Sequence, residues 1–273
     1  MSAPAYVLVD HPTPEVAVVT LNRPERMNSM AFDVMVPFRD ALTQVGADND
    51  VRAVVLTGAG RGFCSGADQS GETGKVPNVD GLTPPTVALR AMELLEDLVT
   101  TIRGLQQPVV AAVNGPAIGG GLCLALACDI RVASPSAYFR AAGINNGLTA
   151  SELGLSYLLP RAIGSSRAFE VMLTGRDVGA EEAARIGLVS EVVGPEALVD
   201  HCVGLGTRIA SFSRPGVELT KRTLWSGLEA GSLAQHMGAE GLGQLLVRLL
   251  TSNFEEAVAA RKEERPPVFR DAR

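Results

Sequence analysis

The chain reads as an α/β protein with a helical C-terminal part, and three observations predict this. Short β-branched apolar runs alternate with helical stretches bounded by glycine and proline. Two of those runs lead directly into glycine-rich loops, at 58–68 and 114–121. From about Asp200 the composition changes to successive helical segments. Strands joined by crossovers are expected to pair in parallel. Rhythm alone leaves open whether those strands form a doubly wound sheet or a spiral.

Taken in order, residues 16–21 (VAVVTL) read as a strand by β-branched content. Residues 31–45 have helical character, with Pro37 as a possible kink or early end. Residues 51–57 form the next strand. The stretch from Gln69 to Pro85 is polar and rich in glycine and proline, and reads as a mobile loop, or lid, over a site. Residues 86–105 have apolar positions at helical spacing. Residues 108–113 read as a buried strand, 122–129 as a buried helix, and 130–133 as a further strand. Helices are expected over 201–212, 217–230, 233–250 and 254–264.

The 273 residues suffice for a large core. Net charge is −6 and aromatics are 4%, so neither a basic field nor stacking platforms favour nucleic acid or anionic lipid. No apolar span reaches membrane length. The first residues show neither a basic stretch nor an apolar one of signal-peptide type. The four cysteines match no zinc spacing. A cytoplasmic protein with reduced thiols and no metal is expected.

Glycines where a strand meets a helix let backbone approach a ligand closely, and first-turn N–H groups are unpaired. Two such loops, each offering one N–H to the same oxygen, would stabilise an enolate or a tetrahedral intermediate. The motifs resemble those of the crotonase superfamily, the enoyl-CoA hydratases and isomerases. They are Leu21 to Asn28 (LNRPERMN), Gly62 to Asp68 (GFCSGAD), Asn114 to Gly121 (NGPAIGGG) with Cys128-Asp129, Leu173 to Arg176 with Ala183 and Gly187 to Val189, and Glu264 to Phe269. They run in order over nearly the whole chain. The resemblance implies a right-handed β-β-α spiral core over residues 1–199, with an acyl-CoA site. It implies a helical oligomerisation region over 200–273, forming a homotrimer or a dimer of trimers; a cap within one subunit is the alternative.

The resemblance also implies that the N–H groups of Ala67 and Gly120 hold the thioester oxygen. Arg26 and Met27 would border the CoA nucleotide, with Ala67, Asp68 and Gln69 beside it and the pantetheine arm. CoA then enters as part of the substrate, and no separate cofactor is expected. Arg26 suits a phosphate chemically, although a plain surface arginine is the alternative. Arg261 or Lys262 would be further phosphate partners across a subunit boundary.

Hydratases of the family use two glutamates, and by resemblance their places here are Cys123 and Gly143. Both acids are missing. Cys123 is either a nucleophile or a small packed residue. One acid remains in the region. Dienoyl-CoA isomerases and the chlorobenzoyl-CoA dehalogenase carry an aspartate at the place of Glu152, which makes Glu152 the candidate catalytic carboxylate. Burial in an apolar acyl pocket would raise its pKa towards that of a general base. The competing reading is structural, because Thr149-Ala150-Ser151-Glu152 has capping-box spacing. Asn145 and Asn146 are candidates for substrate contact or for turns, Asp129 for satisfying nearby backbone, and Glu72 for a reserve acid.

A one-base isomerase therefore fits best. A true hydratase with atypical residues and an acyl-CoA binding protein without turnover are the alternatives. An NAD enzyme is disfavoured, since Gly58 to Gly62 does not complete GxGxxG.

Overall fold

The computed structural model describes residues 5–71 and 73–270, so the reserve acid Glu72 lies outside the described residues. β1 (Val7–Thr13) and β2 (Val16–Leu21) form an antiparallel hairpin. From β2 onward the main sheet is parallel, in the order β1-β2-β3-β4-β6-β9. β3 (Ala53–Gly58) and β4 (Val109–Val113) are buried at every residue. That is why they appear in the sequence as continuous apolar runs rather than alternating ones.

Each circuit of the chain adds one strand to this sheet, one short extended segment to a second layer, and then helix. β2 is followed by a bridge at Met30 and by α1 (Phe32–Ala47). β3 is followed by the segment around Cys64 and Ala67, then α2 (Pro84–Gly104). β4 is followed by β5 (Ala117–Ile118) and α3 (Gly120–Ala127). β6 (Ile130–Ala133) is followed by β7 (Tyr138–Arg140), α4 (Leu155–Ile163) and α5 (Ser165–Thr174). β8 (Val178–Gly179), α6 (Ala180–Arg185) and β9 (Glu191–Val192) complete the core. The second layer pairs Met30 with Ala67, Cys64 with Ala117, and then β5-β7-β8. This is the β-β-α spiral of the crotonase fold, and it excludes the doubly wound alternative.

α3 is buried at all eight residues, which explains its lack of a polar face in the sequence. α1 runs through Pro37 without ending there, forgoing one backbone hydrogen bond. β1 escapes the sequence pattern because it is a mostly exposed edge strand containing Asp10 and Pro12. β5, β8 and β9 are two residues each, too short to show a period.

The division expected at residues 199 and 200 falls inside α7 (Leu198–Ala210). Leu198 and Cys202 of that helix pack with Val16, Val18, Val55 and Val110 on the sheet face away from α3, so α7 belongs to the core. The exposed helical region begins with α8 (Arg214–Glu229) and continues through α9 (Leu233–Leu250) and α10 (Asn253–Lys262). α8 is fastened to the core by a buried ion pair, Lys221 Nζ to Asp129 Oδ2 at 2.9 Å. Trp225 Nε1 donates to the other oxygen of Asp129 at 2.6 Å, and Val109 N donates to Oδ2 at 2.7 Å. Asp129 thus satisfies backbone and also anchors α8. Among the described residues, no helix is long and apolar enough to cross a membrane.

Candidate active site

The two glycine loops are stitched together by the second layer. Phe63 N and Cys64 N donate to Pro116 O, and Ile118 N donates to Cys64 O at 3.0 Å. Buried Asn28 fixes the first loop from below, donating to Ala59 O at 3.0 Å and Gly62 O at 2.8 Å. Asn114, which opens the second loop, donates to Gly60 O at 2.9 Å. The loops approach so closely at Gly66 that a Cβ there would lie 2.6 Å from Ile118 O and 3.5 Å from Gly120 N. With φ at +80° the position requires glycine on both counts.

The next residue is Ala67, and Gly120 is the first residue of α3. Met30 N takes up Gly66 O at 2.8 Å. Among the described residues, neither the Ala67 N–H nor the Gly120 N–H reaches an acceptor. Two unspent donors therefore sit at the junction of the loops, one of them at a helix N-terminus with its partial positive charge. Met30 and Leu153 pack on Gly120 and leave no room for a side chain there.

Glu152 stands over this junction. Its Oε1 lies 3.1 Å from where a Cβ on Gly119 would sit, so the missing side chain at Gly119 makes room for the carboxylate. Burial raises the Glu152 pKa above the ordinary carboxylate range. The backbone holds it in a tight turn. Leu155 N donates to Glu152 O at 2.7 Å, across Leu153 (φ +44°) and Gly154 (φ +81°). Leu153 is a buried leucine in the left-handed region, a conformation that costs about 1–3 kcal/mol and is retained where surrounding structure enforces it.

The capping-box reading of Glu152 is overturned. α4 begins at Leu155, after Glu152, and the Thr149 hydroxyl donates to Ser151 O at 3.2 Å. The two left-handed residues 153 and 154 break the run that a capping box would need.

The two hydratase positions stand in different surroundings. Cys123 is fully buried, its thiol donating to Gly119 O at 3.3 Å and Glu152 O at 3.4 Å. Burial first, and the charge of Glu152 second, push its pKa well above the usual thiol value, so it is a packed thiol and no nucleophile. At Gly143 a Cβ would lie 1.9 Å from Thr149 O. The backbone itself excludes any side chain there.

Arg26 is exposed and Met27 half-buried, both on the turn beside the first glycine loop. Ser65 Oγ donates to Arg26 O at 3.4 Å. Gln69 is exposed at the loop's far end. Asp68 is held by Arg23 Nη1 at 2.8 Å and Ser29 Oγ at 2.9 Å, with Ser70 N at 2.8 Å. Despite desolvation, the hydrogen bonds from Ser70 and Ser29 and the charge of Arg23 hold its carboxyl at about 2. Asp68 thus ties the residue after Ala67 to the turn that bears Arg26. Arg23 and Ser29 were not singled out from the sequence, since a partner 45 residues away leaves no local trace.

Asn145 donates to Gly175 O at 3.2 Å, joining its segment to the end of α5. Ala67, Gly120 and Glu152 thus come together, while Arg26, Met27, Asp68 and Gln69 line one flank of the first loop. A cavity of about 660 Å³ reaches the three residues preceding Glu152, lined by Ile144 and residues 147–151 with Met172 and Leu173 of α5. A larger one, about 760 Å³, lies under α8 and shares no residue with the glycine loops. Among the described residues, no group of three or more acids, histidines or cysteines is arranged to hold a metal ion.

A β-β-α spiral thus carries two unspent backbone donors at the junction of its glycine loops, with an acid beside them. Residues 13–272 match the family described as enoyl-CoA hydratase/isomerase, and the chain belongs to that family. It is 74% identical over 270 residues to "Probable enoyl-CoA hydratase EchA12" of Mycobacterium tuberculosis (strain ATCC 25618 / H37Rv), covering 99% of this chain and 94% of the relative. A crystal structure of a probable enoyl-CoA hydratase/isomerase from Mycobacterium abscessus superposes with a TM-score of 0.94 at 69% identity, covering 98% of this chain and 99% of that one. A monofunctional enoyl CoA isomerase from M. smegmatis superposes with a TM-score of 0.72 at 60% identity, covering 85% of this chain and 98% of that one. Like its relatives, named as hydratases or isomerases, the chain is an enzyme of lyase or isomerase type.

Proposed function

We propose that this enzyme is an enoyl-CoA isomerase that moves a double bond with one carboxylate. The observation that carries this reading is the placement of Glu152 over Gly119, beside the Gly120 donor, with Gly143 closed by backbone. Glu152 removes a proton from C2 of a 3-enoyl-CoA, and the electrons move through the thioester carbonyl. The N–H groups of Ala67 and Gly120 stabilise the resulting oxyanion. The protonated carboxyl exchanges with solvent and then delivers a proton at C4, leaving the double bond at C2–C3. A raised pKa suits a group that must take a proton at C2 and, after exchange with solvent, deliver one at C4. Hydration needs a second group to position water, and the Gly143 position has no room for one.

Arg26 supports the phosphate end of CoA, and Met27, Asp68 and Gln69 the nucleotide and pantetheine flank. A homotrimer or dimer of trimers is supported by the unburied leucines of α8 and α9, among them Leu224, Leu233 and Leu242. A cytoplasmic setting is supported by four free, buried cysteines.

The test is incubation with 2-enoyl- and 3-enoyl-CoA esters in heavy water, following product mass. Deuterium uptake with double-bond migration and no water addition is expected. A mass gain matching added heavy water would make the enzyme a hydratase. Binding of the esters with neither exchange nor addition would make it a non-catalytic acyl-CoA binder.

A further inference from the structure

Cys123 takes no part in the proton transfer, yet it stands between the groups that do. It lies in the first turn of α3, the helix that Gly120 opens. Its Sγ is 3.3 Å from Gly119 O and 3.4 Å from Glu152 O. One thiol proton is thus shared between the residue before the Gly120 donor and the base itself. Among the described residues, this is the one hydrogen bond that ties residues 150–154 to a segment distant in sequence. Their other bonds, from Thr149, Leu155, Tyr157 and Leu158, stay local. The turn needs such a tie. Leu153 at φ +44° and Gly154 at φ +81° put it in the left-handed region, and a leucine stays there only where its surroundings hold it. The apolar part of that hold is the Leu153 side chain, whose Cδ1 lies 3.3 Å from where a Cβ on Gly120 would sit. The polar part is the thiol.

We propose that Cys123 is a positioning residue: its thiol clasps the Glu152 carbonyl to the start of α3 and so fixes the carboxyl relative to the Gly120 N–H. This rests on the reading of Glu152 as the base. Where the resemblance puts a hydratase glutamate, this chain has a small, neutral donor that serves the remaining acid. An S–H···O bond is weak. Rate, however, depends steeply on placement, and a shift of about 1 Å in a reacting group can cost about a hundredfold. A clasp that adds little to stability can therefore matter to turnover.

The test compares Cys123→Ala, which removes the donor, with Cys123→Ser, whose hydroxyl can donate to a carbonyl one turn back in the same way. In isomerisation of a 3-enoyl-CoA ester, Cys123→Ala should lower kcat about tenfold or more. KM, and the calorimetric affinity for butyryl-CoA, a saturated ester that does not isomerise, should stay within about twofold. Cys123→Ser should recover kcat to within about threefold of the native enzyme. Rates are scaled to the folded fraction from thermal unfolding, so lost stability alone moves neither value. Unchanged kcat in Cys123→Ala, or an equal fall in both variants, would overturn the proposal. Crystal structures of the three proteins give a readout that needs no turnover. If the native enzyme moves no double bond, the isomerase reading falls and these structures decide the clasp. A Glu152 carboxyl displaced by about 1 Å in Cys123→Ala alone upholds it. A carboxyl in place in both variants, or displaced in both, overturns it.

Discussion

At the scale of single residues, the proposed chemistry rests on one acid and two amides. Glu152→Gln keeps the shape and loses the base, so isomerisation should fall by about 10²–10⁴. Binding of saturated acyl-CoA should stay within a few-fold, which separates a chemical role from a structural one. The base acts only when ionised, and its pKa is raised. Activity should therefore climb with pH through a value above that of an ordinary carboxylate, seen in the kcat/KM profile. Stability runs the other way. Because the folded protein disfavours the carboxylate, ionisation costs stability above the raised pKa and nothing below the usual value. Glu152→Gln should unfold at higher denaturant than the native enzyme at pH 8, and the gap should close by pH about 4. Gly143 has the opposite character, since even Gly143→Ala forces a Cβ to 1.9 Å from Thr149 O. That substitution should cost at least about 1–3 kcal/mol in urea unfolding, and Gly143→Glu should confer no hydration.

At the scale of elements, the first glycine loop depends on a pair set far apart in the chain. Arg23 and Asp68 have side chains only 7% and 4% exposed. Removing one charge leaves the other buried, and breaking such a pair costs about 3 kcal/mol or more. Asp68→Asn should show this loss at neutral pH, together with a raised KM as the Ala67 donor drifts. The carboxyl sits at about 2, below its ordinary value, so its contribution is full above pH about 4 and fades as pH falls towards 2. Acid unfolding of native and Asp68→Asn proteins should converge over that window. The long elements of this layer were legible in the sequence because burial on one or both faces imposes a period or a run. β2, α1, β3, α2, β4 and α9 emerge close to their observed bounds. β5, β8, β9 and the turn at 152–155 do not, since they are set by neighbours rather than by local pattern.

At the scale of the whole molecule, α9 has no buried residue, and Leu242, Leu245 and Leu249 stand open on it. These open leucines are what the proposed trimer would cover. If the proposed oligomer forms through α9, Leu245→Glu with Leu249→Glu should convert it to monomer in sedimentation, while the α8 anchor of Lys221 and Asp129 keeps the spiral core folded. If the mass is unchanged, the oligomer is held elsewhere or absent.

The sequence by itself determined the α/β class, the order of the long elements, the two glycine loops and the identity of the surviving acid. It did so because glycine at a strand-to-helix junction, and apolar periodicity, are local properties of a chain. Only the tertiary structure decided that Glu152 does not cap α4. The capping-box spacing is present in the four letters, and two left-handed residues at 153 and 154 break it. It also decided that Gly143 is closed by backbone rather than merely lacking an acid. These depend on distances between segments that the chain brings together only after folding.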